Sequence, residues 1–458
     1  MKKITTLALG LLLPCLCMAQ TVSIVGSRFV KPETTKGTTA ITVHYEGSTD
    51  SQDWVGIYKT DQVNITETDG VESVVLGGNG DKTSYRWFYT NAVASADVSS
   101  WTSNYVLGEG CYLVLFFPKN GYNITSHEYL IVTPYTDFTM STDKKVYAVG
   151  DPVVVTWSGA PANAKDWIGI YHEGHTPGGK DQVSTSYRYV NDNGNAAGSM
   201  TLNVPGTPNY DLHGNNPDEP GEYYVTYLLN DGWTELFEHK FARVPYTIAT
   251  TYKETDTNNS FDTSLTTVGI RRTIKVGYNT VCLPFSLTAE QVAAAFGTGT
   301  KVYAFSENSD DANNATINFT ETNTISANVP VLVKATKASD SQVFENVTVV
   351  DVTDAKVAGK NFDFVGTYAP MTVAEGDYFI GGGKLYKSKG ATSMNAFRAY
   401  IQAKTDAPVK MFIGDFETSI NELNANLGQG EAIYNVAGQR ISKMQKGINI
   451  VNGKKVLK

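Results

Sequence analysis

At 458 residues the chain is about three times the roughly 150 residues of one domain, so three domains are the starting expectation. Charged residues make up 18%, below the roughly 25% common in soluble proteins, and hydrophobic residues 41%; this is too apolar for a disordered chain and too evenly spread for a membrane protein. The formal charge of −9, from 37 basic and 46 acidic residues, gives no general pull toward nucleic acid or anionic lipid, so neither is expected as a partner.

Residues 1–19 have the layout of a signal peptide. Lys2 and Lys3 precede a short apolar run, Leu7-Ala8-Leu9-Gly10-Leu11-Leu12-Leu13, and Cys17-Met18-Ala19 places small residues where cleavage before Gln20 needs them. The run is too short for the roughly 20 residues a membrane-spanning helix needs, so no transmembrane segment is expected. Pro14 and Leu16 precede Cys15 and Cys17, whereas a lipid-modified cysteine normally follows a small residue. Cleavage removes two lysines and leaves 35 − 46 = −11. Cys111 and Cys282 then remain, expected in separate domains as buried apolar residues rather than as a disulfide.

Two copies of one pattern follow. Val43-His44-Tyr45-Glu46-Gly47 returns as Val155-Thr156-Trp157-Ser158-Gly159, and Asp53-Trp54-Val55-Gly56-Ile57-Tyr58 as Asp166-Trp167-Ile168-Gly169-Ile170-Tyr171. Ser84-Tyr85-Arg86 is matched to Ser186-Tyr187-Arg188, and Gly110-Cys111-Tyr112 with Gly121-Tyr122 to Gly221-Glu222-Tyr223 with Gly232-Trp233. The offsets are 112, 113, 102 and 111, so two loops differ by about ten residues in opposite senses. Residues 20–134 and 135–246 are therefore expected as two copies of one domain. β-Branched and aromatic runs separated by Gly, Asn, Asp and Pro clusters predict about seven short strands per copy, an immunoglobulin-like β-sandwich. Asn120-Gly121 and Asp231-Gly232 are expected at tight turns.

The Asp-Trp-Ile/Val-Gly-Ile-Tyr block, the Tyr-Arg-Tyr/Trp strand and the Gly-x-Tyr strand ending in Asn/Asp-Gly-Tyr/Trp resemble the Ig-like module that precedes the catalytic domain in some metallophosphoesterases, and the SKICH-type sandwich. The resemblance covers both copies, about half the chain. That module is accessory in those families, so it implies a fold and not a chemistry.

From residue 247 the texture changes. Arg271 to Phe285 reads as strand, Gly277 turn and strand, and 288–296 as the one helix, with Thr288 as N-cap and Gly297 past its end. Strands are expected at 329–334, 362–367, 378–380 and 396–401, with Gly381-Gly382-Gly383 as a turn. Asn-Thr-x-Cys-Leu-Pro-Phe, Ala-x-x-Pro-x-Leu-Val-Lys and Phe-Arg-Ala-Tyr make 247–417 similar to a β-rich domain near the end of exported surface proteins of Gram-negative anaerobes, one without an assigned chemistry.

The tail, 418–458, is expected to form short strands at 432–436, 447–451 and 454–457 as a β-hairpin cap, with a +6 balance from 432 onward. It resembles the C-terminal sorting tail of type IX secretion substrates. The resemblance implies the secretion machinery as a partner, reading Gly438, Gly447, Ile448, Ile450, Val451, Gly453 and Lys455.

No catalytic pattern emerges. Gly-Asn-His and Gly-His-x-His blocks for a two-metal phosphoesterase are missing, as are Gly-x-Ser-x-Gly and a P-loop. His172-Glu173-Gly174-His175 is the one close histidine pair, and it lacks His-Glu-x-x-His spacing. The oxygen-rich runs at 191–195 and 309–313 lack EF-hand spacing. No metal, cofactor or catalytic residue is assigned. The all-β chain is expected to be an exported cell-surface or secreted, non-enzymatic binding or adhesion protein, with a glycan or host-matrix ligand. Two alternatives stand beside it. One is carbohydrate binding through Trp87, Tyr89, Trp101 and Trp233, for which three or more coplanar exposed rings on one outer face would speak. The other is a glycan or phosphoester hydrolase, for which a cleft-lining carboxylate pair with raised pKa would speak.

Overall fold

The computed structural model describes residues 19–68, 71–77, 82–179, 184–190, 195–204, 219–238, 241–308, 315–352, 354–406, 409–414, 416–418, 420–421, 433–435, 440–441, 448–451 and 454–457. The expected leader, except Ala19, lies outside them, as do His213, His239, residues 191–194 and 309–313, Gly438, Gly447 and Gly453. The described elements are strands apart from one α-helix and one 3-10 turn, giving an all-β fold. The chain divides into two compact units, 1–249 and 250–458. Among the described residues no helix is long and apolar enough to cross a membrane.

The first unit holds both copies, each a sandwich of two sheets. In the first, Thr21–Ile24, Val43–Glu46 and Ser95–Val98 form one sheet. The other runs in the order Phe29–Val30, Ser126–Val132, Gly110–Phe117, Trp54–Lys59, Arg86–Tyr89, Thr102–Ser103. In the second, Thr139–Thr142, Val153–Ser158 and Gly198–Leu202 face a sheet ordered Val146–Ala148, Val244–Ala249, Gly221–Leu228, Trp167–His172, Ser186–Tyr189.

The Gly110–Phe117 strand shows why the pattern is a continuous apolar run rather than an alternation. Tyr112, Val114 and Phe116 pack inward with Val43, Tyr45, Val55 and Ile57. Cys111, Leu113, Leu115 and Phe117 point to the outer face, where Val63 and Val74 of the Val63–Thr68/Val71–Leu76 hairpin cover them. Phe237 and Ala242 of the second sandwich complete that layer, with Phe29 and Phe237 rings 4.7 Å apart. A strand buried on both faces must be apolar at every position. Burial pushes the Cys111 thiol up to about 12 and Cys282 up to about 11. Both cysteines are buried and free.

Strand pairing corrects the third repeat match. Gly56 faces Trp87 and Trp54 faces Tyr89, while Gly169 faces Tyr187 and Trp167 faces Tyr189. Trp87 therefore corresponds to Tyr187, an offset of 100 rather than 102. Arg86 is equivalent to Ser186, not to Arg188. A slip of two keeps every side chain on its own face, so periodicity could not detect it. The extra residues of the first copy are its Val63–Leu76 hairpin.

The expected turns shift by one residue. Lys119 and Asn120 have φ of 51° and 53°, and Asn230 and Asp231 have 53° and 61°. Gly121 donates to the Pro118 carbonyl and Gly232 to the Leu229 carbonyl, so each glycine follows the two left-handed residues instead of being one of them.

In the second unit the helix spans Ala289–Phe296, with Thr288 as N-cap and Gly297 as C-cap as its signals predict, and Gln291 completes a capping box with Thr288. Val292 and Phe296 bury against Val268, Ile270, Phe285 and Phe344. Two six-stranded sheets enclose a second core containing Phe305, Phe319, Phe364 and Ile401. The first expected strand lies earlier, at Thr267–Arg271, and others settle at Val331–Ala335, Phe362–Gly366, Tyr378–Gly381 and Ala399–Ala403. Gly381 pairs with Lys384, so Gly382 and Gly383, at φ 59° and 79°, make a two-residue turn.

The 417/418 boundary falls inside the Phe416–Thr418 strand, which pairs with Val409–Ile413. Ile420–Asn421 adds to Lys384–Lys387, so the third domain's sheets extend past 417. The tail is a four-stranded sheet rather than a simple hairpin: Arg440–Ile441, Ile433–Asn435, Ile448–Val451 and Lys454–Leu457 in that order. Ile448, Ile450 and Val451 lie on one strand, and Lys455 pairs with Ile450 on the next.

Candidate functional site

The repeated Asp-Trp-x-Gly-Ile-Tyr block builds an aromatic frame on the outer sheet face. Residues 54, 56 and 58 share that face because strand side chains alternate. A Cβ on Gly56 would lie 2.8 Å from Trp54 Cζ3 and 3.0 Å from Tyr58 Cε2, so only glycine lets the two rings close over the backbone. Gly169 stands in the same relation to Trp167 and Tyr171, at 2.8 and 3.2 Å.

Asp53 and Trp54 then fix a turn from both ends. The buried Asp53 carboxylate accepts from the N–H groups of Thr49 (2.9 Å) and Asp50 (3.1 Å), the Ser48 hydroxyl (3.1 Å) and the Lys119 N–H (2.9 Å). The Trp54 indole Nε1 donates to the Gly121 carbonyl at 3.0 Å. In the second sandwich Asp166 accepts from Asn230 N–H at 3.0 Å and Trp167 Nε1 donates to Gly232 O at 3.0 Å. The following residue, Tyr122 or Trp233, is thereby held at the rim. Each is 52% exposed, and each meets the framing Trp edge-on at 5.9 and 5.5 Å.

The opposite wall comes from the Arg86–Tyr89 strand. Trp87 and Tyr89 meet at 5.3 Å and 82°, and the Tyr89 hydroxyl donates to Asn120 Oδ1 at 2.9 Å. Tyr187 and Tyr189 repeat this at 5.9 Å and 86°, with the Tyr189 hydroxyl on Asp231 at 2.5 Å. In the first sandwich these groups enclose an open cleft of about 300 Å³, whose lining also includes Lys82, Asn104 and Tyr58. Lys82 Nζ sits 5.5 Å from the Tyr122 ring. Lys165 pairs with Asp231 at 3.1 Å in the second sandwich, where residues 180–183 lie outside the described set.

Of the four residues singled out in the sequence, Trp87 and Tyr89 line this cleft and Trp233 occupies the equivalent rim position. Trp101 does not join them. It packs into the sandwich interior on Phe88 at 4.8 Å and donates from Nε1 to the Ile41 carbonyl at 2.8 Å. Trp54, Tyr58, Tyr122, Asn120 and Lys82 were missed as site residues, although Tyr122 and Trp233 share a repeated Gly-aromatic signal. The exposed rings meet edge-to-face, so they form walls and not the coplanar platform that the carbohydrate reading anticipated.

The other candidates resolve into structure. His172 and His175 rings lie 5.4 Å apart, and His172 packs on Tyr223; burial, then the neighbouring His175, lowers its pKa. No three potential metal ligands converge among the described residues. Among the described residues the carboxyls with displaced pKa values, Glu33, Asp53, Asp231, Asp262, Glu290 and Asp363, are all shifted down rather than up.

Fold and site define a tandem β-sandwich protein with a duplicated aromatic frame. No family model and no curated protein matches the sequence. Among solved structures, FdeC, described as a broadly conserved Escherichia coli adhesin, is 10% identical over 84% of this chain and 97% of its own, with a TM-score of 0.21. A Salmonella alpha-2-macroglobulin is 10% identical over 85% of this chain and 27% of that one, at a TM-score of 0.19, so the chain spans about a quarter of its length. The BSP domain of a biofilm-associated protein is 8% identical over 84% and 68%, at 0.17. Likenesses at these scores carry no argument about what this chain does.

Proposed function

We propose that the protein is an exported, non-enzymatic surface or secreted binding protein, and that the first sandwich's cleft seats the terminal sugar of a glycan. The supporting observation is the recurrence of exposed aromatics at equivalent rim positions of both copies, Tyr89/Tyr189 and Tyr122/Trp233. Packing does not require large exposed rings there, whereas ligand contact does. Perpendicular ring faces suit the C–H faces of a single sugar, and the polar groups beside them suit its hydroxyls. Among the described residues, the Trp87 indole N–H has no protein acceptor. In this reading both sandwiches are accessory-type modules, as in the families that their motif resembles.

A glycan array probed with the full chain tests this. Saturable binding to one glycan class is expected, weakened about tenfold or more by Tyr122→Ala and by Trp87→Ala, about 1.4 kcal/mol each, with unchanged circular dichroism. Binding that survives both substitutions removes the cleft as the seat. Binding to a matrix protein without any glycan signal supports the broader adhesion reading instead.

The tail is proposed as the segment read by the secretion machinery. Deleting residues 431–458 in the source cell is expected to leave the protein cell-associated behind the outer membrane, measured by fractionation. Undiminished surface or medium levels rule that role out.

A further inference from the structure

The second unit carries an open cleft of about 600 Å³, bordered by the Gly277–Val281, Tyr378–Gly381 and Thr392–Met394 strands. Within it Arg398 Nη2 and Glu254 Oε2 form a 2.6 Å ion pair, and both side chains are largely buried. Arg272 lies close by, fully buried, its guanidinium donating to the carbonyls of Phe397 and Thr280 and to no carboxylate. Burial, then the Arg398 charge, pulls its pKa down to about 9, which leaves it protonated at neutral pH. Lys275 is part of the lining, and Lys334 Nζ sits 5.3 Å from the ring of Tyr278, another lining residue.

Among the charged residues that line the cleft, Lys275 and Arg398 stand against Glu254, a balance of 2 − 1 = +1; Arg272, Lys334 and Asp340, the last bonded to Thr273 at 3.0 Å, lie behind the lining. The chain as a whole carries −9, so this cleft inverts the prevailing sign. Only one nitrogen of Arg398 is engaged by Glu254, and Tyr278 belongs to the same lining, with Lys334 over its ring. We propose that this cleft binds a carboxylate-bearing sugar, the acid held by Arg398 and Lys275 and the ring laid against Tyr278. A guanidinium matches a carboxylate in two-point geometry, and the aromatic face distinguishes a sugar acid from a bare anion. The site is independent of the aromatic cleft in the first unit.

Calorimetric titration of the full chain with methyl glucuronide, methyl glucoside and acetate tests the proposal. The glucuronide is expected to bind at least about tenfold more tightly than either control, and to weaken as salt rises from about 50 to 300 mM. Lys275→Gln removes an exposed charge without touching the core, and is expected to weaken glucuronide binding several-fold. Lys334→Gln gives a second readout of the same kind. Equal binding of glucoside overturns the role of the acid, equal binding of acetate overturns the role of the sugar ring, and no heat with glucuronide overturns the site.

Discussion

Glu33→Ala is expected to destabilise the first sandwich by about 3–5 kcal/mol, the range for removing one partner of a buried ion pair. Glu33 and Arg86 are both buried and bonded to each other, and the Arg86 guanidinium also donates to the Thr39 carbonyl at 2.7 Å. The carboxylate further accepts from the Thr39 and Leu107 N–H groups, at 2.8 and 2.9 Å, and so ties two loops to the Arg86–Tyr89 strand. Without it the buried guanidinium keeps only the Thr39 carbonyl and no counter-charge, and the Thr39 and Leu107 amides lose their acceptor. Urea unfolding measures the loss. The double replacement Glu33→Leu with Arg86→Met is expected to recover part of it, since no charge then remains in the core. A loss below about 1 kcal/mol for the single variant means that water reaches Arg86. Burial raises the Glu33 pKa, but the Leu107 and Thr39 N–H groups and then Arg86 outweigh it, so the carboxyl sits below its ordinary 4.5. A depressed carboxyl pKa stabilises the fold above about 4.5 and loses that contribution as pH falls through the folded value. Wild type should therefore lose stability on acidification below that pH more steeply than Glu33→Ala.

This pair was illegible in the sequence because its members are 53 residues apart and Arg86 looked like part of a repeated Ser-Tyr-Arg motif. In the second copy the equivalent residue is Ser186, whose hydroxyl accepts from the Asn203 N–H at 3.1 Å, a neutral solution at the same place. The sandwich class and the helix were readable from local signals, β-branched and aromatic runs bounded by turn residues and a threonine N-cap with a glycine past the end, and the duplication from repeated blocks in the same order. The cleft was only half readable. Trp87 and Tyr89 announce themselves as alternating aromatics on a strand, but so does the interior Trp101, and composition does not say which sheet face looks outward. Tyr122 and Asn120 reach the same cleft through a turn whose position is set by Asp53, more than 60 residues earlier. Long-range clamps of this kind leave no periodic trace. The cation-rich cleft of the second unit had no sequence signal, since the charges in and behind its lining come from five separate segments.

Asp53→Ala is the substitution expected to couple stability and binding most directly, costing about 3 kcal/mol and abolishing glycan binding at the first sandwich. Its four accepted hydrogen bonds join the 48–53 loop to the Lys119 end of the turn, while Trp54 holds the Gly121 end. With the carboxylate gone, three part-buried N–H groups and the buried Ser48 hydroxyl lose a charged acceptor, and the Lys119 end of the turn that carries Asn120 and Tyr122 loses its clamp. Asp53→Asn retains the shape but replaces one acceptor oxygen with a donor, so an intermediate loss is expected. Asp166→Ala provides the control: it should destabilise the second sandwich by a similar amount, through Asn163, Asn230 and Tyr227, and leave the first cleft's affinity intact. Urea unfolding and the glycan titration read the two effects separately. If Asp53→Ala lost stability yet bound normally below its unfolding transition, the turn would hold its position through Trp54 alone, and the aspartate of the repeated motif would serve the fold without serving the site.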